Sequence, residues 1–195
     1  LRDAFPEVGF HAFTATATPQ VRGDIVVELG LRDPTVIIGS FDRPNLVYRV
    51  VQREALLEQA RAVIDNHADE PGLIYCISRK SVDDLCLKLR ELGYKALPYH
   101  AGMSDADRKS NQEAFSRDRV NIIVATVAFG MGIDKSNVRY VIHAGLPKSL
   151  EHYQQETGRA GRDGLESECV LLFTYSDFML WKSIIEKEGG DGATV

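Results

Sequence analysis

The sequence lacks the features of membrane proteins and of secreted proteins stabilised by disulfides. No apolar run approaches the roughly 20 residues that a membrane-spanning helix requires, and no secretory signal pattern follows Leu1. The three cysteines, Cys76, Cys86 and Cys169, stand far apart, with neither a C-x-x-C pair nor the spacing of a zinc site. We therefore expect buried, reduced thiols in a cytosolic protein that binds no metal through these residues and contacts no membrane.

Two further features are missing. The sequence contains no G-x-x-x-x-G-K-[ST] motif, so it has no P-loop with which to hold nucleotide phosphates. An excess of positive charge is also absent, because the formal net charge is −5. Nucleic-acid-binding domains usually carry a basic face, although a local basic strip can lie on an acidic body. Composition alone therefore does not suggest a nucleic-acid partner.

Strand-like and helix-like stretches alternate along most of the chain. Several of the strand-like stretches are continuous apolar runs, which is typical of strands buried on both faces of a parallel sheet. The alternation predicts an α/β fold of three layers, in which helices flank a mostly parallel sheet. We predict strands at residues 10–13, 36–38, 46–51, 73–77, 96–99, 122–126, 138–143 and 170–173, and helices after Thr18 and at residues 81–92, 104–116, 150–157 and 177–187.

The segment from Gly39 to Pro44 has the composition of a connector. Before it lie one predicted strand, a threonine-rich turn and one helix, which Thr18 and Pro19 open as cap and first residue. We predict that residues 1–40 belong to a preceding lobe, that residues 41–187 form the main domain, and that residues 188–195 form a flexible tail. Because the first residue is Leu1 and not Met, we interpret the start as a cut inside a longer gene product.

Residues 124–134 run from a predicted strand into a loop that contains Gly130 and Gly132. Ligands of open α/β sheets bind outside the carboxyl ends of strands, and glycines let the backbone approach a ligand closely. The carboxylate of Asp134 suits a hydrogen bond from a ribose hydroxyl. The same residues also fit a plain turn whose aspartate caps a backbone group, and glycine loops are too common to decide between the two.

A more specific pattern lies in residues 153–164, where Arg159 and Arg162 stand three residues apart among glycines. In helical geometry two such side chains point roughly the same way. The guanidinium group is planar, permanently charged and able to donate two parallel hydrogen bonds, so it suits a phosphoryl group. The alternative is a solvated arginine pair that forms salt bridges with Glu156 or Asp163.

Two other segments are weaker signals. Residues 99–103 end a predicted strand before a capped helix, where free amides suit a nucleic-acid phosphate, but a single histidine such as His100 is more often structural than a proton-transfer group. Residues 68–71 resemble an acidic metal-binding signature. They follow a helix and not a buried strand, which favours a polar turn.

Taken together, these segments resemble the RecQ helicases of superfamily two, over nearly the whole chain to Lys187. Motif VI, with the sequence Gln-Glu-Thr-Gly-Arg-Ala-Gly-Arg-Asp-Gly, is the most specific match, and DEAD-box RNA helicases differ in motifs III and VI. Many bacterial relatives have Asn at the position of Asp134, and either side chain can bond a ribose. The matching segments are residues 13–18 for motif III, 40–46 and 74–79 for the motif IV region, 99–103 for motif IVa, 124–135 for motif V and 155–164 for motif VI.

The resemblance implies a RecA-like second motor lobe of a helicase that hydrolyses ATP between two lobes and moves 3′ to 5′ on single-stranded DNA. It implies that Arg162 is the first candidate for the catalytic arginine finger and Arg159 the second. It also implies that the nucleotide contacts are Asp134, Gly132 and Gln155. It implies that the groups along the DNA backbone are Ser78, Arg79, His100, Gly102 and Thr126.

The resemblance also implies partners and cofactors. ATP and Mg²⁺ would be held mainly by the first lobe, and zinc by a downstream subdomain, so that this lobe alone is expected to be inactive. The implied partners are single-stranded and duplex DNA and the first lobe, and the implied location is the cytoplasm (the bacterial nucleoid) or a eukaryotic nucleus.

Two other functions stay open at this point. One is an RNA helicase lobe of the same superfamily, which a comparison of DNA and RNA duplex unwinding by the full-length protein distinguishes. The other is a nucleic-acid-binding module that does not contact ATP. The absence of a P-loop upstream of this sequence would favour that function.

Overall fold

The computed structural model describes residues 5, 7–14, 17–39, 42–130 and 135–190, with side chains described up to residue 186. The chain divides into two compact units, Leu1–Asp42 and Arg43–Val195. The division falls inside the connector expected from the sequence. The membership of the first unit in a preceding lobe stays a prediction.

The first unit contains one helix among its described residues, α1 (Pro19–Glu28). Thr18 caps this helix, as predicted, because its Oγ1 accepts a hydrogen bond from the Val21 amide at 3.3 Å. The predicted strands at residues 10–13 and 36–38 are wrong, since both segments are irregular. A strand requires a neighbour for its backbone hydrogen bonds, and the described part of this unit offers none. Phe13 is accordingly 93% exposed.

The second unit alternates strands and helices. Its strands are β1 (Leu46–Gln52), β2 (Gly72–Tyr75), β3 (Ala96–Tyr99), β4 (Ile122–Ala125), β5 (Tyr140–His143) and β6 (Ser167–Phe173). Its helices are α2 (Leu56–Asn66), α3 (Arg79–Glu91), α4 (Asp105–Ser116), α5 (Leu150–Thr157) and α6 (Tyr175–Gly190). The strands form one parallel sheet in the order β1-β6-β5-β2-β4-β3. The predicted α/β class is therefore confirmed.

Alternate residues of the central strands enter two apolar cores, one on each face of the sheet. Ile74, Val124 and Ile142 share one core with residues of α2 and α3. Ile123 belongs to the other core, with Phe115 of α4. Because β2, β4 and β5 are buried along their whole length, their sequences are continuous apolar runs and not alternating ones.

Serine side chains define the starts of three helices, with Ser78 as the cap of α3, Ser104 of α4 and Ser149 of α5. The bounds of α5 agree with the prediction, and those of α4 agree once Ser104 is taken as its cap. Helix α3 begins two residues before the predicted Ser81, because the Ser78 hydroxyl accepts the hydrogen bond from the Ser81 amide at 3.1 Å. Among the described residues, none of the helices has the length and apolar character to cross a membrane.

The three cysteines are free and buried, as predicted. Cys76 and Cys86 lie in the core that contains α2 and α3, and Cys169 lies in the core on the other face. Burial raises the pKa of Cys86 to about 11 and the pKa of Cys76 and of Cys169 to about 12.

We expect these thiols to resist alkylation in the folded chain at about pH 8, slightly below the ordinary cysteine pKa of about 8.5. The raised pKa leaves almost no thiolate, and burial blocks the reagent. Mass spectrometry of iodoacetamide adducts, compared between native buffer and denaturing urea, measures the effect. A cysteine modified equally fast under both conditions would contradict this burial.

Candidate functional site

The carboxyl ends of the parallel strands meet at one edge of the sheet, and the predicted DNA-contacting residues follow those ends. Backbone hydrogen bonds continue beyond the strands, from the Thr126 amide to the Tyr99 carbonyl at 3.1 Å and from the Ala144 amide to the Tyr75 carbonyl at 2.8 Å. The segments that follow β2, β3, β4 and β5 are therefore neighbours. Among the described residues, the segments of motifs IV, IVa and V gather at this edge. Motif VI does not: the Gly161 amide donates to the Val138 carbonyl at 2.8 Å and the Ser167 amide to the Asn45 carbonyl at 2.9 Å, so the loop after α5 lies at the amino ends of β1, β5 and β6.

Four of the predicted DNA-contacting residues lie at this edge: Ser78, Arg79, His100 and Gly102. His100 is buried, and its Nδ1 accepts a hydrogen bond from the Gly102 amide at 3.1 Å. Its Nε2 therefore carries the proton and donates to Asp83 Oδ1 at 3.0 Å. A β-carbon at Gly102 would lie 3.2 Å from Arg79 Cδ, so the exposed Arg79 side chain runs along this turn. His100 thus shapes the turn, and Arg79 is the cation beside it.

The loop after β4 begins with a tight turn. The Phe129 amide donates to the Thr126 carbonyl at 3.0 Å, and Thr126 Oγ1 accepts from the Ala128 amide at 3.4 Å. The hydroxyl of Thr126, a predicted DNA contact, therefore has a partner within the loop. The two predicted nucleotide contacts Gly132 and Asp134 lie outside the described residues.

Two hydrogen bonds from other elements hold this loop. Tyr75, the last residue of β2, donates its hydroxyl to the Phe129 carbonyl at 3.0 Å, and burial raises the pKa of this tyrosine. The guanidinium of Arg159 donates to the Gly130 carbonyl. Arg159 is half-buried, and its Nε is buried without a hydrogen-bond partner among the described residues. One of the two predicted arginines therefore holds the motif V loop in place.

The second arginine is placed differently. Arg162 is exposed, and its Nε lies 3.4 Å from the Gly158 carbonyl. The alternative drawn from the sequence was a salt bridge of the arginines with Glu156 or Asp163. In the structure Glu156 pairs with His143, and Asp163 pairs with Arg139. Gln155, the remaining predicted nucleotide contact, is also exposed.

The pair of His143 and Glu156 was not foreseen from the sequence. His143 Nε2 lies 2.7 Å from Glu156 Oε2, and both side chains are buried. The His143 ring stacks on Tyr75 with centroids 5.4 Å apart and meets Tyr153 edge-on at 4.8 Å. The pair ties α5 to the end of β5. The feature of the sequence that could have indicated this pair is His143, a histidine at the end of an otherwise apolar strand.

The arginine loop, residues 158–165, has room only for a glycine at its centre. Gly161 has φ +55°, and a β-carbon there would lie 2.4 Å from Asn45 Nδ2 and 2.8 Å from both the Leu165 carbonyl and Ser167 Oγ. Arg139 further holds the loop through two hydrogen bonds of 2.6 Å to the Asp163 carboxylate. That guanidinium lowers the pKa of Asp163.

Comparison with known proteins identifies the family. The model of the helicase conserved C-terminal domain matches residues 52–164, more than half of the chain. The chain is 47% identical over 188 residues to the ATP-dependent DNA helicase RecQ of Pasteurella multocida, which covers 96% of this chain and 30% of that protein. It is 47% identical over 191 residues to ATP-dependent DNA helicase Q-like 4B of Arabidopsis thaliana, with 97% and 17% coverage. The chain therefore belongs to the helicase conserved C-terminal domain family and is of RecQ type.

The chain spans less than a third of each of these relatives. A solved structure with the same fold is the crystal structure of a DEAD box protein from the hyperthermophile Methanococcus jannaschii, at 22% identity and a TM-score of 0.64. The likeness covers 87% of this chain and 47% of that one and establishes the RecA-like fold alone.

We expect Gly161→Ala to destabilise the chain more than Gly164→Ala. Both glycines have positive φ, which costs an alanine about 1–2 kcal/mol, but a β-carbon at Gly164 meets nothing within 4 Å. Gly164→Ala thus reports the backbone cost alone, and the additional loss in Gly161→Ala reports the collision with Asn45 and the Leu165 carbonyl. Urea unfolding of both variants measures the two costs. Equal losses would contradict the packing described around Gly161.

Proposed function

We propose that this chain is the second motor lobe of an ATP-dependent DNA helicase of RecQ type, which moves 3′ to 5′ on single-stranded DNA. The observation that carries the proposal is the arrangement of the two motif VI arginines in the arginine loop. Arg162 is exposed there, and Arg159 holds the neighbouring loop. Its proposed location is then the chromosome, in a bacterial nucleoid or in a eukaryotic nucleus.

In this proposal the lobe contributes positive charge to a phosphoryl transfer. Transfer of a γ-phosphoryl group to water requires stabilisation of developing negative charge more than covalent chemistry by the protein. Arg162 supplies that charge when the cleft between two lobes closes, so ATP binds the closed state more tightly than the open one. Arg159 orients the motif V loop through its bond to Gly130. Gln155, which is exposed, is the proposed nucleotide contact of α5.

The residues of this chain do not fit a magnesium site of their own. The sequence has no P-loop. No group of three or more His, Cys, Asp or Glu side chains is placed to hold a metal ion within the part of the chain that the structure describes. ATP phosphates and Mg²⁺ are accordingly proposed to lie mainly on the first lobe. Cys76 and Cys86 are buried in one core and Cys169 in the other, so the three cysteines do not form one ligand set, and zinc is proposed only for a downstream subdomain.

The DNA track proposed for this lobe runs past the ends of β2, β3 and β4. Contacts to phosphate carry no sequence information, which suits a motor that must move along any sequence. Arg79 is an exposed cation at this place, at the first position of α3. Ser78, His100, Gly102 and Thr126 support the turns around it through their internal hydrogen bonds.

In the full-length enzyme, Arg162→Ala should lower kcat for ATP hydrolysis by on the order of 10³-fold or more, as the loss of an arginine finger does in related phosphoryl-transfer enzymes. Binding of ATP and DNA should change little, because the contact strengthens only as charge develops. Arg162→Lys should recover little activity, since a point charge cannot reproduce the planar fork. Steady-state ATPase at saturating DNA and thermal unfolding of the same variants measure the two effects.

The matched control is Arg90→Ala, which also removes an exposed guanidinium. Arg90 lies in the last turn of α3, at the opposite end of that helix from Ser78 and the site edge. It should keep normal turnover. If Arg162→Ala keeps near-normal kcat, or loses activity only because it unfolds, the assignment of the finger is wrong.

The 195-residue chain alone should show no DNA-dependent ATP hydrolysis. The physical reason is that it lacks the P-loop that holds the phosphates, so its arginines have no positioned substrate. A phosphate-release assay with and without single-stranded DNA provides the measurement, with the full-length enzyme as positive control. DNA-stimulated turnover by the purified chain would refute the division of roles between two lobes.

A further inference from the structure

Two residues at the start of the second unit hold the arginine loop from outside motif VI. Arg43, its first residue, donates from Nη2 to the Ala160 carbonyl at 2.9 Å and to the Gly161 carbonyl at 2.7 Å. These two carbonyls lie between Arg159 and Arg162 in the sequence. The position of both arginine side chains therefore depends on a peptide segment that Arg43 holds directly.

Asn45 completes the arrangement. Its Nδ2 donates to the Gly161 carbonyl at 2.9 Å and to the Leu165 carbonyl at 2.8 Å. Its Oδ1 accepts from Arg43 Nε at 3.4 Å. Both amide hydrogens and the amide oxygen are thus used, which fixes the side-chain orientation. On the other side of the loop, the Gly161 amide donates to the Val138 carbonyl at 2.8 Å.

The chemistry of these contacts favours a guanidinium over other cations. Arg43 and Asn45 are both half-buried, so water competes less for the loop carbonyls than it would at the surface. Hydrogen bonds from a charged donor are about twice as strong as neutral ones. A planar fork can also bond carbonyls while its Nε reaches Asn45, which the single ammonium of lysine cannot do.

We propose that Arg43 and Asn45 are positioning residues for ATP hydrolysis, acting on Arg162 and Arg159 through the carbonyls of the arginine loop. The proposal rests on the proposed function of those arginines. Arg43 and Asn45 donate their hydrogen bonds to the loop carbonyls, so they affect the reaction by fixing the position of the loop. A displacement of about 1 Å in a catalytic group can cost about 100-fold in rate, so loss of these hydrogen bonds should appear in turnover.

The test uses the full-length enzyme with Arg43→Gln, Arg43→Lys and Asn45→Asp. Arg43→Gln and Asn45→Asp should lower kcat about 10- to 100-fold at saturating DNA, with little change in the KM for ATP. Asn45→Asp is close in shape but turns a carboxylate towards two carbonyl oxygens. Arg43→Lys keeps the charge and most of the stem, so it should fold even if Arg43→Gln does not, and should recover only part of the rate.

A double-mutant cycle separates positioning from a general structural role. If Arg43 acts through the two loop arginines, then Arg43→Gln (or Arg43→Lys) should lower kcat less in an Arg162→Ala background than in the wild type, because only its effect through Arg159 remains. A purely structural role predicts that the two losses multiply, and that result would overturn the proposal. Thermal unfolding of each variant reports the structural loss separately.

Arg53 is the matched control. It is also half-buried, donates to the Ala144 carbonyl and to Thr174 Oγ1 at 3.1 Å, and pairs with Asp177 at 2.7 Å, without a bond to the arginine loop. Arg53→Gln should lower thermal stability but not kcat. If Arg162→Ala itself leaves kcat unchanged, the proposed function fails. If Arg162→Ala lowers kcat while folded Arg43→Lys and Asn45→Asp keep the wild-type value, only the positioning proposal fails.

Discussion

Six strands that all run in the same direction constrain everything else in the second unit. Parallel strands require crossover connections, so each strand ends at the same edge of the sheet. Segments far apart in the sequence meet there: the hydroxyl of Tyr75 bonds the Phe129 carbonyl 54 residues away, and Arg159 bonds the Gly130 carbonyl 29 residues away. Because the central strands are buried on both faces, this edge is a rigid base on which loops from several strands can be held relative to one another.

The segment that carries the motif VI arginines is held by polar pairs, and for one of them the lowered pKa of its carboxylate gives the sign of its pH dependence. Arg139 lowers the pKa of Asp163 below its unfolded value, so the stabilisation from this pair is present at neutral pH and is lost as the pH falls through the folded-state pKa. Acid should therefore loosen the arginine loop at its Asp163 end. The pair of His143 and Glu156 holds α5 independently, from the opposite end of the same segment.

The sequence predicted the central strands well because burial on both faces leaves a continuous apolar run, which no surface helix shows. It failed at residues 10–13 and 36–38, where apolar composition was present but a pairing partner was not. It placed the start of α3 two residues late, since Ser78 and Ser81 are equally good caps by type. The contacts of Arg43 with the Gly161 carbonyl and of His143 with Glu156 could not be predicted, because they join residues 118 and 13 positions apart through the packing of the strands.

Net charge was a poor guide to this domain because several of its arginines and acids are engaged with other groups of the fold. Arg43, Arg53 and Arg139 spend their donors on carbonyls and carboxylates of the fold. The two acids nearest the motif VI arginines in sequence, Glu156 and Asp163, are likewise bound to His143 and Arg139. The internal pairs therefore hold the segment that carries the motif VI arginines at two points: His143 with Glu156 before the arginine loop, and Arg139 with Asp163 within it.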